Sequence, residues 1–273
     1  MEKMGEIKIE HISFGKKLKS MLSVDFRRMF TTPLFYILVG IAVVIPILVL
    51  VMTTTVGGST SVDPTTGVET VAEIEPITNT WQVVESISGE SAGMSSGIMS
   101  MCNINLLFFM AAVFVCIFVS DDFRSGYAKN LFAVRSKKAD YVISKSLVGC
   151  VSGAFMILAY FIGAVIGGAI AGLSFDAGAA GIGGIIMCLL SKIFLMAVFV
   201  SIFVLMSVVG KQKLWLSMIG SFAVGLLLFM MVPSLTPLNS TIMNVILCLA
   251  GGALFSVGLG AVSNIVLRKT SLV

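Results

Sequence analysis

Long uncharged stretches dominate this chain, and its basic residues gather between them. Every Lys and Arg except Lys192 falls in one of four segments, 3–28, 124–145, 211–213 and 268–269. Six apolar runs fill the intervals: 34–54, 103–119, 147–173, 191–209, 214–232 and 242–267. An apolar run of about 20 residues crosses a bilayer as a helix, because a helix satisfies its own backbone where no water can. The second run is short and can extend backward through 98–102. Six crossings return both ends of the chain to one side, and basic loops are retained in the cytoplasm. The expectation is an all-α integral membrane protein, one transmembrane domain over 1–273, with both ends in the cytoplasm.

The first loop on the far side, 55–100, carries Asp63, Glu69, Glu73, Glu75, Glu85 and Glu90 but no Lys or Arg. It is rich in Gly, Ser and Thr, contains Pro64 and Pro76, and has one apolar cluster at Trp81, Val83, Val84 and Ile87. At roughly 42 residues its aqueous part is too small for a core of its own, so short elements lying on the span ends are expected. The glycine-rich stretch 177–185 reads as a short re-entrant or interfacial helix before the fourth span.

Composition narrows the chemistry. A chain that is 57% hydrophobic and 12% charged, with mean hydropathy +1.05, is no ordinary soluble domain. The net charge of +4 forms no continuous stripe, so a nucleic-acid partner is not expected. The 5 cysteines lie in or beside apolar runs without a CxxC pair, and neither a disulfide framework nor a metal site is read from them. Charges scattered through the first thirty residues argue against a cleaved leader. His11 is the only histidine, which leaves Ser–His catalysis and HExxH zinc chemistry without their central residue. No GxxxxGK[ST] segment is present, so this chain holds no nucleotide by a P-loop, and it is not read as an enzyme. No carboxylate lies inside the six runs, which weakens an ion-coupled carrier. Lys192 reads as a span-end side chain reaching for the headgroups, with a part in substrate passage or ion pairing as the sharper alternative.

Two segments outside the spans have a pattern of their own. Over 17–31, Leu18, Met21, Leu22, Phe26, Met29 and Phe30 recur at helical spacing among Lys and Arg, as in a helix lying in the headgroup plane. Thr31, Thr32 and Pro33 then offer a stop, a cap and a first-turn proline. In 120–145, Asp121 and Asp122 suit the N-terminus of a short helix, whose partial positive charge they oppose. Gly126, Asn130, Leu131, Phe132 and Val134 follow before dense positive charge. A merely solvated loop accounts for the charges but not for those apolar residues, whereas a docking peg for a soluble protein accounts for both.

Here the sequence resembles the permease subunits of type-2 ABC transporters. Asp121-Asp122-Phe123-Arg124-Ser125-Gly126 is similar to that family's acidic pair and glycine after the second span. Gly126-Tyr127-Ala128-Lys129-Asn130 resembles the variant common in Gram-positive bacteria, and Ser144-Lys145 is similar to the element opening the third span. Arg135 stands where many members have Pro or Gly, and Lys138 replaces the usual Arg. The resemblance implies an N-terminal amphipathic elbow helix, six spans and a cytosolic coupling helix between spans 2 and 3. It implies a bacterial plasma-membrane exporter built as a homo- or heterodimer of six-span subunits, with two copies of an ABC ATPase subunit. ATP and Mg would then be bound by that ATPase and no cofactor by this chain. The family's coupling contact carries over to Asp121, Asp122, Gly126, Asn130, Leu131 and Phe132, with Leu131 and Phe132 filling a pocket on the ATPase.

Small residues recur every fourth position at Gly149/Gly153, Gly163/Gly167/Ala171, Ala164/Gly168/Gly172 and Gly252/Ser256/Gly260, a pattern of close helix packing in lipid. Apolar, glycine-rich and hydroxylated spans favour an amphiphilic cargo such as a peptide, lipid or drug. Two other classes stay open: an ATPase-independent six-span channel or carrier, and a membrane immunity factor that sequesters a peptide.

Overall fold

The computed structural model describes residues 14–55, 59–62, 69–72, 77–85, 102–134, 138–178 and 181–269. His11, Ile87, Arg135 and the backward extension of the second run through 98–101 lie outside the described residues. Nine α-helices are described: α1 Phe14–Thr31, α2 Pro33–Thr55, α3 Leu106–Arg124, α4 Tyr127–Val134, α5 Ala139–Ala171, α6 Gly181–Gly210, α7 Leu214–Phe229, α8 Val232–Leu235 and α9 Ile242–Lys269. Helices α2, α3, α5, α6 and α9 are long and apolar enough to cross a membrane, and α7 is a shorter apolar helix. The protein is a multi-pass membrane protein of helical build. Its one sheet among the described residues is a two-stranded antiparallel ladder, β1 Ser59–Val62 against β2 Glu69–Ala72.

The described basic segments meet at one end of the bundle. Gln212, between α6 and α7, donates through Nε2 to the Phe123 carbonyl at 3.5 Å. Lys138, before α5, donates through Nζ to the Leu267 carbonyl of α9 at 2.7 Å. At the opposite end Asn79 caps a 3-10 helix, Thr80–Val83, by accepting from the Trp81 N–H. Trp81 stacks on Phe161 of α5 with ring centroids 5.6 Å apart, and its Nε1 donates to the Phe175 carbonyl. Val83 and Val84 are buried there. This part of the first loop therefore lies on the helix ends, as its composition implies.

Helix α6 is the hub. Phe199 meets Phe108 of α3 at 4.5 Å, and Ser201 shares a 2.9 Å hydrogen bond with Ser256 of α9. The glycine stripes are its seams. A Cβ on Gly149 would stand 2.7 Å from Val200, and one on Gly252 would stand 2.8 Å from the Phe194 carbonyl. On α5, Gly163 and Gly167 admit α2 so closely that a Cβ would strike the Val43 carbonyl or the Ile47 Cα. Such contact replaces the hydrophobic drive that lipid removes.

Three sequence expectations are corrected. Asp121 and Asp122 do not open a helix; they lie in the last turn of α3, where the helix's own field disfavours them. Within the stretch 177–185, positions 179–180 lie outside the described residues, and Gly181 to Ile185 form the start of α6 itself, which runs unbroken to Gly210. That early start puts Lys192 about three turns inside α6. It is fully buried rather than reaching the headgroups, and Nζ bonds Thr236 Oγ1 at 3.0 Å and Asn105 Oδ1 at 3.3 Å.

Candidate functional site: a buried charge network under a short helix

Helix α1 buries Met21, Asp25 and Met29, one residue per turn, so its inward stripe carries a carboxylate between two methionines. A buried lone carboxylate is costly, and the sequence supplies its partners from α5. Lys145 Nζ lies 2.8 Å from Asp25 Oδ1 and 2.7 Å from Asp122 Oδ2. Ser144 donates its hydroxyl to Asp25 Oδ2 at 2.6 Å, and Tyr141 donates its own to Asp122 Oδ2 at 3.0 Å. Arg28 closes the ring. Its guanidinium is 2.6 Å from Asp122 Oδ1, an ion contact without hydrogen-bond alignment, and 3.8 Å from Asp25 Oδ1.

Two cations thus balance two carboxylates with no net charge, which is how a low-dielectric interior tolerates four ionised groups. Aromatic faces complete the desolvation. Phe118 lies 4.1 Å from the Lys145 ammonium and 5.3 Å from the Arg28 guanidinium, and Tyr127 lies 4.8 Å from the latter. Burial alone would lower the Arg28 pKa, but Asp122 and then Asp25 outweigh it and hold it above the ordinary arginine value. The same cluster resolves why Asp122 endures a helix C-terminus: two cations counter the unfavourable field.

The network fastens α1 to α3 and α5, and α4 hangs from it. Gly126 turns the chain between α3 and α4 with φ +75°, a left-handed conformation where a side chain is strained even though the space is open. Tyr127 opens α4 under Arg28, while Phe132 packs edge-on to Tyr141 at 5.3 Å. Lys129, Asn130 and Ala133 face outward.

The residues expected to form a partner contact therefore divide. Asp121 and Asn130 are exposed, Gly126 is half-exposed, and Leu131 and Phe132 are half-buried against this chain's own core. Asp122 is fully buried, so any part it takes in coupling runs through Arg28 and Lys145. Of the α1 residues read from periodicity, Met21 and Met29 are buried, Leu18, Leu22 and Phe26 half-buried, and Phe30 exposed. Asp25, Arg28, Tyr141 and Ser144 were not expected to act together. Their signal was present: Asp25 falls in register with Met21 and Met29, on the stripe that ought to be apolar. Among the described residues no cluster of three or more His, Cys, Asp or Glu is arranged to hold a metal.

No protein-family model, no curated protein and no solved structure matches the chain.

Proposed function

We propose that this chain is the membrane-spanning permease subunit of an ATP-driven type-2 ABC exporter in a bacterial plasma membrane. In this reading α2, α3, α5, α6, α7 and α9 are its six spans, α1 is an elbow helix, and the basic end faces the cytoplasm. The chain provides a path for an amphiphilic substrate and pairs with a second six-span subunit. Two ATPase subunits bind ATP and Mg and do the hydrolysis. Helix α4 is the coupling helix.

The observation that carries the reading is α4 itself. An eight-residue helix stands at the basic end, entered through a left-handed glycine and tied by Tyr127 and Phe132 to the buried network. A push on α4 reaches α1, α3 and α5 together, because Arg28 and Lys145 bridge all three. ATP binding by the partner supplies the differential energy that moves the spans between two arrangements.

Pull-down of the tagged chain from its native membrane should recover a P-loop ATPase, and the joint Lys129→Glu and Asn130→Lys variant should lose most of it while inserting normally. Vesicles carrying the recovered complex should move an amphiphilic dye with ATP and not with a non-hydrolysable analogue. Equal ATPase recovery with the variant, or transport indifferent to ATP, would overturn the proposal.

A further inference from the structure

A cleft of about 370 Å³ lies between α5 and α9, and no residue of the charge network lines it. Its walls are Val142, Ile143, Leu147 and Cys150 on α5, and Val257, Gly260 and Ala261 on α9. The cleft exists because α9 closes on α6, through Gly252 and the Ser201–Ser256 bond, and leaves α5 behind. From Ala139 to Cys150 it follows about 16 Å of helix, close to the roughly 15 Å hydrocarbon depth of one leaflet.

Its mouth at the basic end is charged. Lys138 lies one turn below Val142 on α5, and Arg268 one turn below Asn264 on α9. The two helices converge there, since Lys138 Nζ reaches the Leu267 carbonyl. An ammonium has three donors, so that bond leaves Lys138 able to serve an anion as well.

We infer that this cleft binds one anionic phospholipid of the leaflet at the basic end, such as a phosphatidylglycerol. One acyl chain lies along α5 and α9, and the phosphate meets Lys138 and Arg268. This assignment rests on the membrane-spanning character of the helices and not on the ABC reading.

Native mass spectrometry of the purified chain, titrated with phosphatidylglycerol or with phosphatidylcholine of the same acyl chains, tests it. The wild type should hold one phosphatidylglycerol in preference to phosphatidylcholine. Joint Lys138→Gln and Arg268→Gln should weaken that binding about twenty-five-fold, since each near-surface cation is worth roughly a factor of five. Ala261→Phe should fill the cleft and abolish it, with Val257→Phe as the second filling variant. Joint Lys211→Gln and Lys213→Gln, which removes equal charge at the same end but outside the cleft, should leave it unchanged. Equal retention of the two lipids by the wild type, or unaltered binding by a folded filling variant, would overturn the assignment.

Discussion

Lys145 lies between two carboxylates that would otherwise repel each other, and its ammonium is within 2.8 Å of both. Replacing it by Met leaves Asp25 and Asp122 buried with only Arg28 between them. The expected loss is about 3–5 kcal/mol of stability, the usual result of stripping one partner from a buried pair. Adding Asp25→Asn removes the excess negative charge, so the double variant should be more stable than Lys145→Met alone. Thermal unfolding of the three proteins in detergent checks this, and additive losses would show that the four groups do not act as one unit. Asp122 teaches the limit of reading residues singly. Next to Asp121 in sequence it looks like half of a surface acidic pair, yet one faces solvent and the other is fully buried. Only the positions of Arg28 and Lys145 in space distinguish them, and local sequence contains no such information.

Helix centres were legible throughout, and helix ends where no charge extends the helix: 34–54 matches α2 to within a residue, and α9 starts at 242 as read. The apolar run 103–119 marks the heart of α3, but the helix continues to Arg124; 147–173 marks α5, but that helix starts at Ala139. Hydropathy records where a segment can meet hydrocarbon, whereas a helix persists wherever its charges find partners. Asp122 and Lys145 extend α3 and α5 past their apolar runs by pairing with each other. The small-residue stripes were legible for a different reason, since close packing demands small side chains whatever the partner helix. This gives a matched test on glycines of two helices. Gly163→Leu should cost about 2 kcal/mol or more, because its side chain would meet the α2 backbone at Val43. Gly258→Leu, with nothing within 4 Å, should change stability by no more than about 0.5 kcal/mol. Gly126→Val tests the α3–α4 turn: strain at positive φ should cost roughly 1–2 kcal/mol, and Gly126→Asn should cost less. Unfolding midpoints of the variants rank them directly, and parity of Gly163→Leu with Gly258→Leu would refute the seam.

At the scale of the molecule, the described parts of three basic segments and the C-terminus of α9 converge on one end, through Arg28, Gln212, Lys138 and Leu267. The other end is built from Asn79, Trp81, Phe161, Ser174 and Phe175. A bilayer around the apolar helices then separates these two sets of residues. In a background with all five cysteines replaced by Ser or Ala, a cysteine at Ser125 or Lys129 should react with an impermeant maleimide only in inside-out vesicles. A cysteine at Ser174 or Asp176 should react only in right-side-out cells. Reaction of both pairs from one side would mean that the helices do not cross as a bundle with two faces. Exchange of the two patterns would keep the bundle and reverse its orientation, leaving α4 on the side without ATP and removing the ground for its coupling role.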